Sequence, residues 1–123
     1  MQRIGHHPAT AILRFVNDLT RIGGDDRKKP TVIVEDVRTT EWASITFVGL
    51  RHELDLRLEG ERDVVSAALV RLADNLGDAD LPIAGYFVAE IAVTAVGGAD
   101  GAAAAIAGGC VQRVRIDALT VRD

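Results

Sequence analysis

A strict alternation of leucine with charged residues in the middle of the chain constrains the fold more than any other feature. Successive side chains of a β-strand point to opposite faces, so this pattern predicts a strand with one buried face and one solvated face. A sheet with one wet face is typical of antiparallel architecture, and its leucine face needs helices to cover it. The alternating residues are Glu53, Leu54, Asp55, Leu56, Arg57, Leu58 and Glu59.

Four further segments have the alternation or the β-branched composition of strands, so we expect an antiparallel sheet of about five strands. The short stretch 49–52 predicts a tight hairpin in which Gly49 can adopt positive φ. The same alternation places Phe47 and Phe87 in the core and Trp42 on the opposite side from Phe47. The four segments are residues 31–35, 42–48, 86–96 and 111–121.

Two segments, residues 9–22 and 62–76, have the three-and-four spacing of amphipathic helices. We expect the second helix to cover the leucine face of the sheet. The first helix precedes a polar linker at residues 25–30, so it is predicted to be an arm that packs on its own sheet or on a neighbouring subunit. A segment rich in glycine and alanine at residues 97–109 predicts a flexible hairpin loop.

The predicted element order is therefore α-βββ-α-ββ in a single α+β domain that spans residues 1–123. Residues 1–30 are expected to form the N-terminal helical arm and its charged linker, and residues 31–123 the compact α+β core. With 48% apolar residues, a chain of this length has material for one core and none for a second domain.

The charge distribution argues against a nucleic-acid partner. The net charge is −4, and the basic cluster formed by Arg27, Lys28 and Lys29 directly follows Asp25 and Asp26. Nucleic-acid binding that is independent of sequence needs a basic face that displaces counterions. A solvated loop is therefore the better interpretation of this cluster.

The N-terminus and the cysteine content predict a cytoplasmic protein. Charged and histidine residues interrupt every apolar run near the N-terminus before it reaches the length of a signal-peptide core or a membrane span. We therefore expect no membrane association. Cys110 is the only cysteine, which excludes a disulfide within the chain and agrees with a reducing compartment.

Three polar side chains are candidates for chemistry. His52, at the predicted hairpin, could act as a general base that a neighbouring carboxylate orients. Tyr86 and Glu90 stand four apart on an apolar strand, hence on one face, where Glu90 could carry a proton or pair with Arg113 or Arg115. The ion pair is favoured because these partners lie on the adjacent strand. No nucleotide, metal or nucleophile motif is present, so neither a cofactor nor a metal site is predicted and no residue is assigned a catalytic role.

The candidate interaction surface consists of Phe15 and Leu19 on the first helix and of Trp42, which the arm or a second subunit would cover. Because no coherent catalytic constellation is present, we predict a non-catalytic protein-interaction domain or a homo-oligomeric assembly domain. The alternative is a small enzyme or small-ligand-binding domain with a pocket between helix and sheet. That alternative requires an apolar cavity onto which at least two of the three polar candidates converge.

Overall fold

The computed structural model describes residues 7–21, 29–77, 81, 83–97 and 109–123. These residues form two helices, each followed by two strands. The predicted linker, apart from Lys29 and Pro30, and the predicted glycine-rich loop, apart from its ends, lie outside the described residues. The elements are α1 (Pro8–Leu19), β1 (Thr31–Ala43), β2 (Val48–Glu61), α2 (Arg62–Asn75), β3 (Tyr86–Ala95) and β4 (Gly109–Arg122).

The four strands form one antiparallel sheet in the order β1-β2-β4-β3. The α+β class and the antiparallel sheet are therefore confirmed, with four strands in place of about five. β2 and β4 are the central strands, and β1 and β3 are the edges. α2 begins at Arg62, directly after β2 ends at Glu61, so no loop separates this strand from this helix.

The first predicted strand, 31–35, is the start of a longer strand, β1, that runs to Ala43. The second predicted strand, 42–48, is not a strand of its own, since it contains the end of β1, the turn 44–47 and the first residue of β2. A register shift between Val34 and Asp36 marks a β-bulge, in which one extra residue changes which side chains face inward. Val34 lies opposite Leu56 before the bulge, and Val37 lies opposite Leu54 after it. The bulge shifts the alternation of inward and outward side chains by one residue, so an alternation followed in one phase ends here. For this reason the prediction that the first strand stops at residue 35 was wrong.

The hairpin between β1 and β2 is the turn 44–47 and not the stretch 49–52. The N–H group of Ser44 donates to the carbonyl oxygen of Phe47 at 2.8 Å, and the N–H group of Phe47 donates to Ser44 Oγ at 3.1 Å. Phe47 is therefore part of the turn and is 51% exposed, so its predicted place in the core was wrong.

The leucine face of β2 is covered by helices, as predicted. Leu54, Leu56 and Leu58 are completely buried, and α2 lies against both β2 and β4. Burying an aliphatic side chain of this size contributes about 1.5–3 kcal/mol relative to leaving it in water. This face is therefore the main source of stability in the sheet.

The first helix packs on its own chain, against α2 and β1. Pro8 occupies the first turn, and His7 Nδ1 accepts a hydrogen bond from the N–H group of Ala9 at 3.1 Å, which caps the helix. Ile12 and Val16 of α1 are completely buried in the same core as the leucines of β2. Of the two places left open for this helix, its own sheet and a neighbouring subunit, the structure shows the former.

A second bulge changes the inward pattern of β3. The register shifts between Val88 and Glu90, so Tyr86 shares the helix-covered face with Ile91 while Phe87 and Glu90 lie on the opposite face. Phe87 is 44% exposed, and its predicted place in the core was wrong. The prediction that Tyr86 and Glu90 share a face was wrong for the same reason.

Gly49 offers a direct test of the register between β2 and β4. It lies opposite Val121, and a Cβ at Gly49 would overlap the carbonyl oxygen of Thr120 and approach Val121 Cα to 2.9 Å. The backbone must move to admit a methyl group, so we expect Gly49→Ala to lower the free energy of unfolding in urea by about 1–3 kcal/mol. Gly77→Ala is the matched control, because a Cβ there meets no atom within 4 Å. Equal stabilities of the two variants would contradict the register.

Candidate functional site

His52 lies in the middle of β2 and is completely buried, on the same face as Leu54. Its Nδ1 atom is 3.0 Å from Thr39 Oγ1 on β1, and its Nε2 atom is 2.9 Å from Thr120 Oγ1 on β4. The prediction that His52 occupies a hairpin was wrong because the turn ends five residues earlier, at Phe47. The three side chains connect three adjacent strands.

The hydrogen bonds of His52 suit a neutral ring. The hydroxyl of Thr120 donates to the carbonyl oxygen of Leu50 at 3.4 Å, so its oxygen is free to accept from Nε2–H. We accordingly assign the Nε2–H tautomer, in which Nδ1 accepts from the Thr39 hydroxyl. Burial and, to a smaller extent, the charge of His7, whose ring centroid is 6.2 Å away, together lower the pKa of His52 to about 4.

The arrangement around His52 is that of a structural clamp between strands. Both ring nitrogens are occupied by threonine hydroxyls, and neither bonds to a carboxylate that could orient the ring for general-base catalysis. Glu53, the nearest carboxylate in sequence, points to the opposite face and bonds to Arg38. Thr39 and Thr120 carry no local sequence signal, since only the register brings them to His52.

Acidification from pH 6.5 to 4 should destabilise the wild-type protein more than His52→Gln. In this range the unfolded chain protonates His52, whose ordinary pKa is 6.5, while the folded chain with its pKa of about 4 does not. The stability that neutral His52 contributes is complete above pH 6.5 and is lost as the pH falls, by about 1.4 kcal/mol per pH unit. Urea titrations across this range measure the slope, and the variant, which keeps every carboxylate, is the reference. Parallel profiles for the two proteins would count against a neutral buried His52.

The face of the sheet opposite the helices carries a network of ion pairs. Asp55 on β2 lies between two arginines: Arg115 Nε donates to it at 2.8 Å, and Arg38 Nη2 is 3.7 Å from it. The hydrogen bond from Arg115 holds the pKa of the Asp55 carboxyl below its ordinary value. Arg38 also pairs with Glu53 at 2.9 Å and with Asp36.

A second part of the network centres on Glu35, which lies 2.8 Å from Arg57 Nη1 and 3.6 Å from Arg113 Nε. Arg57 also pairs with Glu59 at 2.6 Å. Exposed ion pairs of this kind contribute about 0–1 kcal/mol each to the stability of the fold, so their main effect is on the charge of the surface. Five carboxylates and four arginines take part, so most of these charges are compensated within the network and the field that this face offers to a charged ligand is weak.

Glu90 does not take part in this network. The register places it opposite Leu119, four residues away from Arg115 along β4. Arg113 pairs with Glu35, and Arg115 pairs with Asp55. The favoured interpretation of Glu90, an ion pair with one of these arginines of its own chain, was therefore wrong.

A groove of about 560 Å³ lies at the hairpin end of the sheet. A second depression of about 230 Å³ lies over the ion-pair network. Tyr86 lines the groove, whereas His52 and Glu90 line neither cavity. These two cavities therefore do not bring together two of the three polar candidates. The principal side chains of the groove are Glu41, Trp42, Val48, Leu50, Tyr86 and Arg122.

Apolar side chains are exposed at the same end of the sheet. Ile45 in the turn is fully exposed, and Val48 is half-exposed beside Phe47. The register aligns Trp42, Gly49, Val121 and Phe87 in one row across the four strands. We call this set the apolar end and define it as the exposed Ile45, Phe47, Val48 and Phe87 together with the half-buried Trp42.

The three predicted interaction residues are separated by the fold. Phe15 and Leu19 of α1 are half-buried against the core of their own chain. Trp42 is half-buried on the opposite face of the sheet, so α1 does not cover it. The sequence analysis missed Ile45 because the turn 44–47 contains neither glycine nor proline, the residues that usually indicate a turn.

No protein-family model matches this chain, and no curated protein is significantly similar to it. Among the described residues, no helix has the length and apolarity needed to cross a membrane. Within the same part of the chain, no group of three or more metal-ligating side chains is close enough together to hold an ion.

Proposed function

We propose that this chain is a non-catalytic interaction domain that assembles with copies of itself through the apolar end. The observation that carries the proposal is the exposure of Ile45, Phe47 and Phe87 at one end of the sheet. Exposed apolar clusters on soluble proteins commonly mark surfaces that another protein covers. Aromatic side chains at such a surface also supply much of the binding energy in protein interfaces.

The positions of the polar candidates support a non-catalytic role. Both nitrogens of His52 bond to threonines in the core, Tyr86 lines the groove, and Glu90 lies on the opposite face of the sheet. General acid–base catalysis needs its groups within hydrogen-bond reach of one substrate. These three side chains do not share such a place.

The pairing of charges within the ion-pair network supports the apolar end as the contact surface. Burying the network around Asp55 and Glu35 would remove water from charges that already have partners, at a cost that new contacts must offset. Transfer of the apolar end from water into an interface has only a small desolvation cost. Association is therefore favoured at this end over the wide charged face.

Binding of a small molecule in the groove is the second candidate function. The volume of about 560 Å³ is typical of ligand sites, and Tyr86 and Trp42 supply aromatic surface. If the groove binds a small molecule, the amide chemical shifts of Leu50 and Arg122 should change when small fragments are added. The same shifts should stay constant when the protein alone is diluted. Shifts in the dilution series at the turn 44–47 favour assembly instead.

Sedimentation equilibrium tests the assembly proposal with Phe47→Ser. We expect the wild-type protein to associate in a concentration-dependent way and Phe47→Ser to weaken that association about tenfold or more, because an aromatic contact is lost. Val70→Ser is the matched control, since Val70 is an exposed apolar residue on α2. A wild-type protein that stays monomeric at millimolar concentration, or a Phe47→Ser protein that associates like the control, would sink the proposal.

A further inference from the structure

The edge strand β3 is less protected against pairing with another strand than the edge strand β1. Proteins protect such edges with charged side chains, proline or bulges. The other edge, β1, has four charged side chains and a bulge, whereas Glu90 is the one charged residue among the ten of β3, which also lack proline. The bulge of β3 lies at Ala89, so residues 90–95 form a regular stretch whose outer edge pairs with no other strand among the described residues.

We propose that β3 pairs with β3 of a second copy of this chain, antiparallel and about a two-fold axis at Ala92. The pairing joins two four-stranded sheets into one of eight strands, with the helices of both copies on the same face. This inference rests on the proposed self-association and names one of its interfaces. Ala92, Thr94 and Ala95 are exposed and small, so a second strand can approach without a clash.

The register about Ala92 is self-complementary. It places Ile91 opposite the partner's Val93 on the helix-covered face, so two β-branched residues meet beside the core. On the other face, Glu90 lies opposite the partner's Thr94. The two copies of Glu90 are then about 13 Å apart along the strands, which avoids repulsion between like charges.

The same register supplies Glu90 with a counter-ion. In its own chain, Thr94 lies opposite Arg115, so Glu90, the partner's Thr94 and the partner's Arg115 fall in one row. Two strand spacings separate the outer backbones by about 10 Å, which the two long side chains can span. Asp55 uses Nε and Nη2 of Arg115, which leaves Nη1 for a second carboxylate.

Charge reversal at the two-fold axis tests this pairing. In Ala92→Lys, or in Ala92→Glu, two like charges face each other, and we expect the edge dimer to weaken at least tenfold in sedimentation analysis. An equimolar mixture of the two variants should restore a heterodimer. Ala67→Lys is the control, because Ala67 is exposed on α2, away from the edge.

Cysteine cross-linking tests the register itself. Residues directly opposite each other in an antiparallel pair have Cα atoms about 4.5–5.5 Å apart, within the range of a disulfide. With the buried Cys110 replaced by serine, Ala92→Cys should form a disulfide dimer under mild oxidation, and Ala67→Cys should not. If Cys110→Ser does not fold, the cross-link is measured with Cys110 retained, since its burial protects it. The link should persist with Phe47→Ser, because Phe47 lies in the turn between β1 and β2 and not on β3.

The outcomes separate the two proposals. One outcome is that the wild-type protein associates and that Phe47→Ser weakens this association, while position 92 does not cross-link and Ala92→Lys has no effect. This outcome would overturn edge pairing and leave the proposed function standing. Cross-linking at position 92 together with no effect of Phe47→Ser would support edge pairing and overturn the apolar end as a contact surface. A monomeric wild-type protein would overturn both.

Discussion

The uninterrupted pairing of β2 with β4 is the constraint on which the rest of the structure depends. The register runs without a shift from Gly49 opposite Val121 to Glu61 opposite Gly109. Because neither strand contains a bulge in this pairing, alternate residues stay on one face for the whole length. One face is therefore mainly apolar, with His52 and Thr120 as buried polar residues among its leucines, and the helices cover it. The other face carries the charged side chains that pair across strands.

The central strands could be predicted from the sequence because their period of two is intact. The alternation of Leu54, Leu56 and Leu58 predicted the buried face of β2, and the predicted strand 111–121 lies within β4. The edge strands each contain a bulge, which shifts the phase by one residue. A phase shift has no compositional signal, which explains the error at Phe87. The hairpin was misplaced for another reason, because the turn 44–47 contains neither glycine nor proline.

The surroundings of His52 show a second limit of prediction from sequence. Its hydrogen-bond partners are 13 and 68 residues away along the chain, and they reach it only after two strand pairings are in register. The sequence suggested a titrating residue in a turn. In the structure, His52 follows the exposed strand residue Arg51 and points into the core as a neutral ring. Its partners are threonine hydroxyls, which bond to a neutral imidazole.

The direct junction of β2 and α2 has a consequence for motion within the domain. Since no loop separates Glu61 from Arg62, the helix cannot swing without twisting a central strand, and the two elements open and close together. Their amides should form one slowly exchanging unit with β4. The turn 44–47 lies outside that unit and is held by hydrogen bonds between Ser44 and Phe47. The proposed contact surface is thus attached to the part of the sheet whose rearrangement disturbs the core least.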